Sequence, residues 1–144
     1  MNVVPHLILE KEGKVLLLHR TRTKVTANTW CTPCGGIEPG ESPSTAIRRE
    51  SFEELGIILN MWTHVFTLSY KGKDYFDPSK VYEDINLFFF ADEYDGTPFN
   101  REPHKHGEMS FFKYDEWPST TLAVIPFALR ALKRGEHYGE LDAA

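Results

Sequence analysis

Glu50, Glu53 and Glu54 fall three and four residues apart in a stretch with helical signals, so their carboxylates project from one side of one helix. Like charges at that spacing cost stability unless something positive neutralises them, and near neutral pH a hard divalent cation with oxygen ligands is the natural partner. For three glutamates alone, a solvated acidic face is the plain alternative. The preceding run Pro33-Cys34-Gly35-Gly36-Ile37-Glu38-Pro39-Gly40-Glu41 shifts the balance, because its glycine and proline density marks a shaped loop. Arg49, just before the acidic cluster, could pair with Glu41 and fix that loop against the helix. A glycosidase using paired carboxylates fits poorly, since glutamates one turn apart on one helix cannot flank a sugar from opposite faces.

Several elements must position these groups. Ser42 as N-cap, Pro43 at the first helical position and Gly56 as a stop predict a helix over 43–55, with Ile47, Ser51 and Leu55 as its core-facing stripe. Val3 to Leu9 and Val15 to His19, joined by Glu10-Lys11-Glu12-Gly13-Lys14, read as a β-hairpin. Thr21 to Asn28 reads as a polar loop and Thr29 to Thr32 as a short strand. Ile57 to Tyr70 and Val81 to Ala91 are rich in β-branched and aromatic residues and read as long strands, with Lys71-Gly72-Lys73 and Asp95-Gly96 as turns after them. Met109 to Lys113 adds a short strand, and Leu122, Ile125, Leu129 and Leu132 predict an amphipathic helix over 121–133.

With 144 residues, 41% hydrophobic and 13% aromatic, the chain has the size of one domain spanning 1–144. No apolar run reaches membrane-spanning length and the N-terminus lacks a signal-peptide pattern, so a cytoplasmic location without membrane contact is expected. A net charge of −5 argues against a nucleic acid polymer as partner, though not against a small phosphate substrate held through a cation. Cys31 and Cys34 are the only cysteines. A Cys-x2-Cys pair can be half a zinc site or a redox pair, but no second pair exists. His104 and His106 lack finger-like spacing, so two ordinary thiols are the favoured reading.

Taken together, Gly35, Glu41, Arg49, Glu50, Glu53, Glu54, Gly56 and Ile57 match eight fixed positions over 23 residues, a pattern that resembles the signature of the Nudix hydrolase superfamily. Two positions depart from it. Ser51 replaces the usual aliphatic residue, which weakens packing unless its hydroxyl bonds back to the carbonyl of Ile47. Cys34 replaces the usual glycine, which matters only if the backbone there needs positive φ. A softer likeness continues through Asn100-Arg101-Glu102-Pro103-His104-Lys105 and the aromatic stretch from Ser110 to Pro118, and makes Glu102 or Glu108 an additional carboxylate candidate.

The resemblance implies an α/β fold, an α/β/α sandwich around a mixed sheet. It also implies hydrolysis of a nucleoside diphosphate linked to another group, with Mg2+ or Mn2+ as cofactor. Its implied metal ligands are Glu50, Glu53, Glu54 and a backbone carbonyl at Cys34 or Gly35, with Glu53 or Glu50 as base and Arg49 and Glu41 supporting catalysis. Arg20, Arg22 and Lys105 are candidates for substrate phosphate, and Trp30, Phe112 and Trp117 for base stacking, with core packing the stronger prior for these aromatics. Nucleoside triphosphates, including oxidised or noncanonical ones, are the expected substrates. ADP-ribose, dinucleotide or nucleotide-sugar cleavage is the alternative, and a non-catalytic nucleotide sensor is the rival from another class. The resemblance also makes a homodimer possible.

Overall fold

Helix α1 (Pro43–Leu55) begins and ends where its sequence requires. The Ser42 hydroxyl accepts from the Thr45 amide, Pro43 occupies the first turn, and Gly56 closes the helix at φ 69° in the left-handed region. The computed structural model describes residues 1–21, 27–74 and 77–144. Its other elements are β1 (Asn2–Ile8), β2 (Glu10–Lys11), β3 (Lys14–Arg20), β4 (Thr29–Cys31), β5 (Ile58–Lys73), β6 (Val81–Asp95), β7 (His106–Lys113), α2 (Val124–Lys133) and β8 (Tyr138–Asp142).

The strands form two four-stranded sheets. The first, ordered β1-β6-β5-β8, is mixed: β5 and β6 pair antiparallel, while β1 lies parallel to β6 and β8 parallel to β5. The second is antiparallel, with β3 between β4 and β7 and β2 on its path. Side chains alternate across both sheets, and this splits the core in two. Ile8, Val15, Leu17, Phe66 and Phe88 pack with Ile125, Ala128 and Leu129 of α2. Leu7, Leu9, Leu16, Leu18 and Phe89 pack with Ile47 and Leu55 of α1. Each helix therefore covers an opposite face of the strands, which is the α/β/α sandwich.

The expected hairpin needs correction. Of Val3 to Leu9 only the last residue meets Val15 to His19, the Leu16 amide donating to the Leu9 carbonyl at 3.0 Å; β1 runs parallel to β6, with Val3 opposite Ile85 and Ile8 opposite Phe90. Only the short β2 folds back on β3, matching Glu10 to Val15 and Lys11 to Lys14. The physical reason is burial on both faces. Leu7, Ile8, Leu9 and Val15 through Leu18 are all buried, so neither run has the polar face that would restrict it to a two-stranded ribbon. Lys71-Gly72-Lys73 also differs from expectation, continuing β5 to pair with Val81, Tyr82 and Glu83 rather than turning. The C-terminal helix starts at Val124, later than expected, and β8 was not foreseen. A five-residue strand with polar and glycine positions carries little periodic signal of its own.

Candidate active site at the carboxylate helix

The stripe of α1 that faces the core includes Ile47, Ser51 and Leu55, all fully buried. Ser51 is tolerated there because its hydroxyl donates to the Ile47 carbonyl at 2.6 Å, satisfying the polar atom inside the helix. Cys34 is tolerated because the described non-glycine residues at positive φ are Glu12 and Asn28, so position 34 demands no left-handed backbone.

Loop and helix are joined through Arg49. Its Nε and Nη2 donate to the two carboxylate oxygens of Glu41 at 2.8 and 2.9 Å, a bidentate pair, and Nη2 also reaches the Gly36 carbonyl at 2.9 Å. Nη1 donates to Glu50 at 2.9 Å and to Glu53 at 3.2 Å. The predicted Arg49–Glu41 clamp is thus present, and the guanidinium also offsets part of the acidic face. Its hydrogen bonds to Glu41 raise the Arg49 pKa, and the same bonds hold the Glu41 carboxyl below its ordinary range.

The three glutamates occupy different environments. Glu53 is the most exposed and shares Arg49. Glu50 is packed so tightly on the loop that a Cβ at Gly35 would overlap its carboxylate, and burial raises its pKa. Glu54 is 5% exposed, and its Oε2 is buried without a hydrogen-bond partner. Burial pushes its pKa well up, helped by coupling to the acidic groups of Cys34, Glu50 and Glu102 and opposed by Arg20. The acidic side is therefore not simply a solvated face. A buried carboxylate oxygen without a partner, beside further carboxylates, is a poor arrangement for an isolated helix and a suitable one for a hard cation with oxygen ligands.

Glu102 is delivered by the segment 99–102, which caps the C-terminus of α1. Phe99 and Arg101 amides donate to the Leu55 and Glu54 carbonyls at 3.1 and 3.0 Å, and the Arg101 guanidinium donates to the Phe52 carbonyl at 2.9 Å. Asn100 shapes the turn by donating to the His106 carbonyl at 2.9 Å and accepting from the Glu102 amide at 3.1 Å. Of the two extra acidic candidates, Glu102 is thus brought to the cluster, while Glu108 lies exposed on β7. Lys105 pairs with Glu102 at 3.2 Å. Arg20 approaches from β3, donating from Nη1 to Cys34 Sγ at 3.8 Å, and its Nε is buried without a partner. Arg22 lies outside the described residues.

A cavity of about 420 Å³ opens beside Arg20 and Cys34. His6 of β1, Tyr70 of β5, and Tyr82, Asp84 and Asn86 of β6 contribute to its wall. None of the three aromatics proposed for stacking lines it. Trp30 stacks on His19 at 4.9 Å between ring centroids and meets Phe112 edge-on, and Trp117 packs against the core. Tyr70 and Tyr82, 5.6 Å apart, are the aromatics that border the space. Their signal was available in the sequence as polar or amphipathic side chains at alternate positions (Tyr82, Asp84, Asn86) of one strand, which places them on one face. Among the described residues, the histidine that joins Cys31 and Cys34 is His6; His104 is exposed, and His106 is buried opposite Arg20 on β7, where burial lowers its pKa to about 4.

An α/β/α sandwich thus presses a glycine-bearing loop onto a carboxylate helix, with a cavity alongside. The match to the NUDIX domain model over residues 1–131 shows that the chain belongs to the Nudix family. It is 46% identical over 50 residues to an RNA pyrophosphohydrolase of Rickettsia bellii (strain OSU 85-389), a stretch covering 35% of this chain and 30% of that relative. The structure of a MutT NUDIX hydrolase from Burkholderia pseudomallei superposes with a TM-score of 0.76 at 25% identity, covering 90% of this chain and 95% of that one. A MutT protein from Bacillus halodurans shares the fold with a TM-score of 0.75 at 24% identity, covering 99% of this chain and 90% of that one. The matched stretch thus spans under a third of the length of the Rickettsia protein. Among the described residues no helix is long and apolar enough to cross a membrane.

Proposed function

We propose that this chain hydrolyses the diphosphate linkage of a small nucleotide, with nucleoside triphosphates as the leading substrates and release of pyrophosphate. The observation that carries this reading is the unpartnered, buried Glu54 oxygen, which lies beside Glu50 and Glu102 and near Arg20 at the cavity. Glu54, with Glu53 and a backbone carbonyl at Cys34 or Gly35, would hold Mg2+ or Mn2+. Bound there, a divalent ion supplies charge neutralisation at the phosphate oxygens.

The chain's own groups then divide the work. Glu50, half-buried with a raised pKa and one oxygen fixed by Arg49, is the base that accepts the proton of the attacking water. Arg49 and Glu41 hold the loop and the base in register. Arg20 meets substrate phosphate at the cavity mouth. Inside, Asn86 Nδ2 and Asp84 Oδ1 are buried without partners, offering one donor and one acceptor to a base edge beside Tyr70 and Tyr82. A cavity of about 420 Å³ is large enough to take one nucleoside.

The test is a panel of nucleoside triphosphates, ADP-ribose, a dinucleotide polyphosphate and a 5′-triphosphorylated RNA, each incubated with Mg2+ while phosphate and pyrophosphate are followed. Pyrophosphate from a mononucleotide supports the reading. Turnover confined to RNA or to dinucleotides overturns the substrate class, and no turnover of any member leaves the sensor reading in its place.

A further inference from the structure

One cluster of metal-ligating groups is built from side chains other than the glutamates. A ring nitrogen of His6, Cys31 Sγ and Cys34 Sγ lie within 4.8 Å of one another, brought together from β1, β4 and the loop that follows β4. We infer that His6, Cys31 and Cys34 form a three-ligand site for a thiophilic cation of the zinc class, with its fourth position open to the cavity.

The spacing carries the argument. The two sulfur atoms are 3.8 Å apart. A tetrahedral zinc ion with Zn–S bonds of about 2.3 Å needs a sulfur–sulfur edge of about 3.8 Å, so the thiols already sit at that separation. A disulfide requires about 2.05 Å and a movement of both side chains.

His6 is oriented as a ligand. Its Nε2 bonds to Asn86 Oδ1 at 2.8 Å, and its ring stacks on Phe88 with centroids 4.5 Å apart. That bond fixes the Nε2–H tautomer and leaves Nδ1 as the ligating nitrogen, the usual support for a metal-bound imidazole. Nδ1 gives up its 2.8 Å bond to the Thr32 hydroxyl, which lies 4.0 Å from Cys31 Sγ and can turn to the sulfur instead.

Charge also balances. Two thiolates neutralise a divalent ion, so Arg20 beside Cys34 faces a neutral centre and not a second cation. His6, Cys31 and Cys34 all contribute to the cavity wall, which leaves space for a fourth ligand. Nitrogen and sulfur donors select against Mg2+, whose preference is for oxygen, so the two sites do not compete for one ion. The inference does not depend on the hydrolase reading.

The test uses the full chain, reduced and stripped of metal, titrated with Co2+ as a spectroscopic stand-in for Zn2+. One equivalent is expected to give a thiolate-to-cobalt charge-transfer band and tetrahedral ligand-field bands. Zn2+ should bleach both, and a large excess of Mg2+ should leave both in place. Cys31→Ser and Cys34→Ser should each lose charge-transfer intensity, Asn86→Ala should bind Co2+ about 10- to 100-fold more weakly, and Glu54→Gln should retain the full spectrum. Should a cysteine variant fail to fold, zinc stoichiometry by native mass spectrometry of the unaltered chain decides the matter. No charge-transfer band in the reduced chain, an unchanged band in both serine variants, or a Cys31–Cys34 disulfide persisting under reductant with no metal uptake overturns the inference.

Discussion

Replacing Glu54 by Gln separates the cost of the acidic site from its use. In the metal-free fold Glu54 is almost fully buried, and one carboxylate oxygen has no partner. An ionised group in that position costs about 1 to 3 kcal/mol that a neutral isostere avoids, and the Gln amide removes the repulsion from the Glu50 and Glu102 carboxylates. For a chain of this size about 1 kcal/mol moves the melting temperature by about 3 °C, so E54Q should melt about 3 to 9 °C higher than the unaltered protein in EDTA at pH 8.

The pH dependence has a definite sign. Because the folded pKa of Glu54 is raised, the metal-free fold binds its proton more tightly than the unfolded chain does. That contribution is fully present below the ordinary carboxylate range and is lost as pH rises through the folded value. The advantage of E54Q therefore grows with pH over this window. Mg2+ reverses the order: at a hundredfold excess over its Kd it stabilises the unaltered protein by about 2.7 kcal/mol and should do little for E54Q. Turnover should fall by about a thousandfold, equivalent to about 4 kcal/mol of lost charge stabilisation. Scanning calorimetry in EDTA and in Mg2+, across pH, measures the stability shifts, and pyrophosphate release measures the turnover. A variant less stable than its parent in EDTA, or one with an undiminished Mg2+ shift, refutes the assignment.

Other substitutions probe the supports. Arg49→Lys keeps the charge but loses the bidentate grip on Glu41 and the Gly36 carbonyl, and kcat should fall about a hundredfold with the fold retained by circular dichroism. Gly35→Ala forces a methyl into the Glu50 carboxylate; the expected cost is about 1 to 3 kcal/mol in urea unfolding together with weaker Mg2+ activation. Ser51→Ala removes a hydroxyl that satisfies only itself within its helix, so unfolding should change by about 1 kcal/mol or less and kcat not at all.

What the sequence disclosed and what it hid follow from the range of the interactions. The 43–55 helix is written in local terms, with Ser42, Pro43 and Gly56 at its ends and Ile47 and Leu55 on its inner face, and both boundaries matched. The Arg49–Glu41 clamp was also legible, because its partners lie eight residues apart in a motif that fixes their register. Burial was not. Periodicity alone sets Glu54, seven residues from Ile47, on the inner face and Glu53 off it, but the lid over the helix end was hidden, because it arrives from residues 99–102. The pairing of β1 with β6 likewise depends on strands about 80 residues apart, so the nearer partner β3 was the natural but incorrect choice. The cavity wall was lost for the same reason: Asn2, Asp84 and Tyr70 become neighbours only once that register is set.

Arg20 gives the site its internal logic. Among the described residues, it is a cation that acts on both Glu54 and Cys34. Without it, a raised carboxyl and two largely buried sulfurs would share a poorly hydrated corner with less to favour their charged forms. With it, both can ionise when a ligand arrives, the carboxylate toward a hard ion and the thiols toward a soft one. Removing the guanidinium should therefore weaken Mg2+ and Co2+ binding together, although the two ions share no donor atom. An Arg20→Met variant that lost only one of the two affinities, measured by calorimetry for Mg2+ and by the charge-transfer band for Co2+, would show that the sites are electrostatically independent.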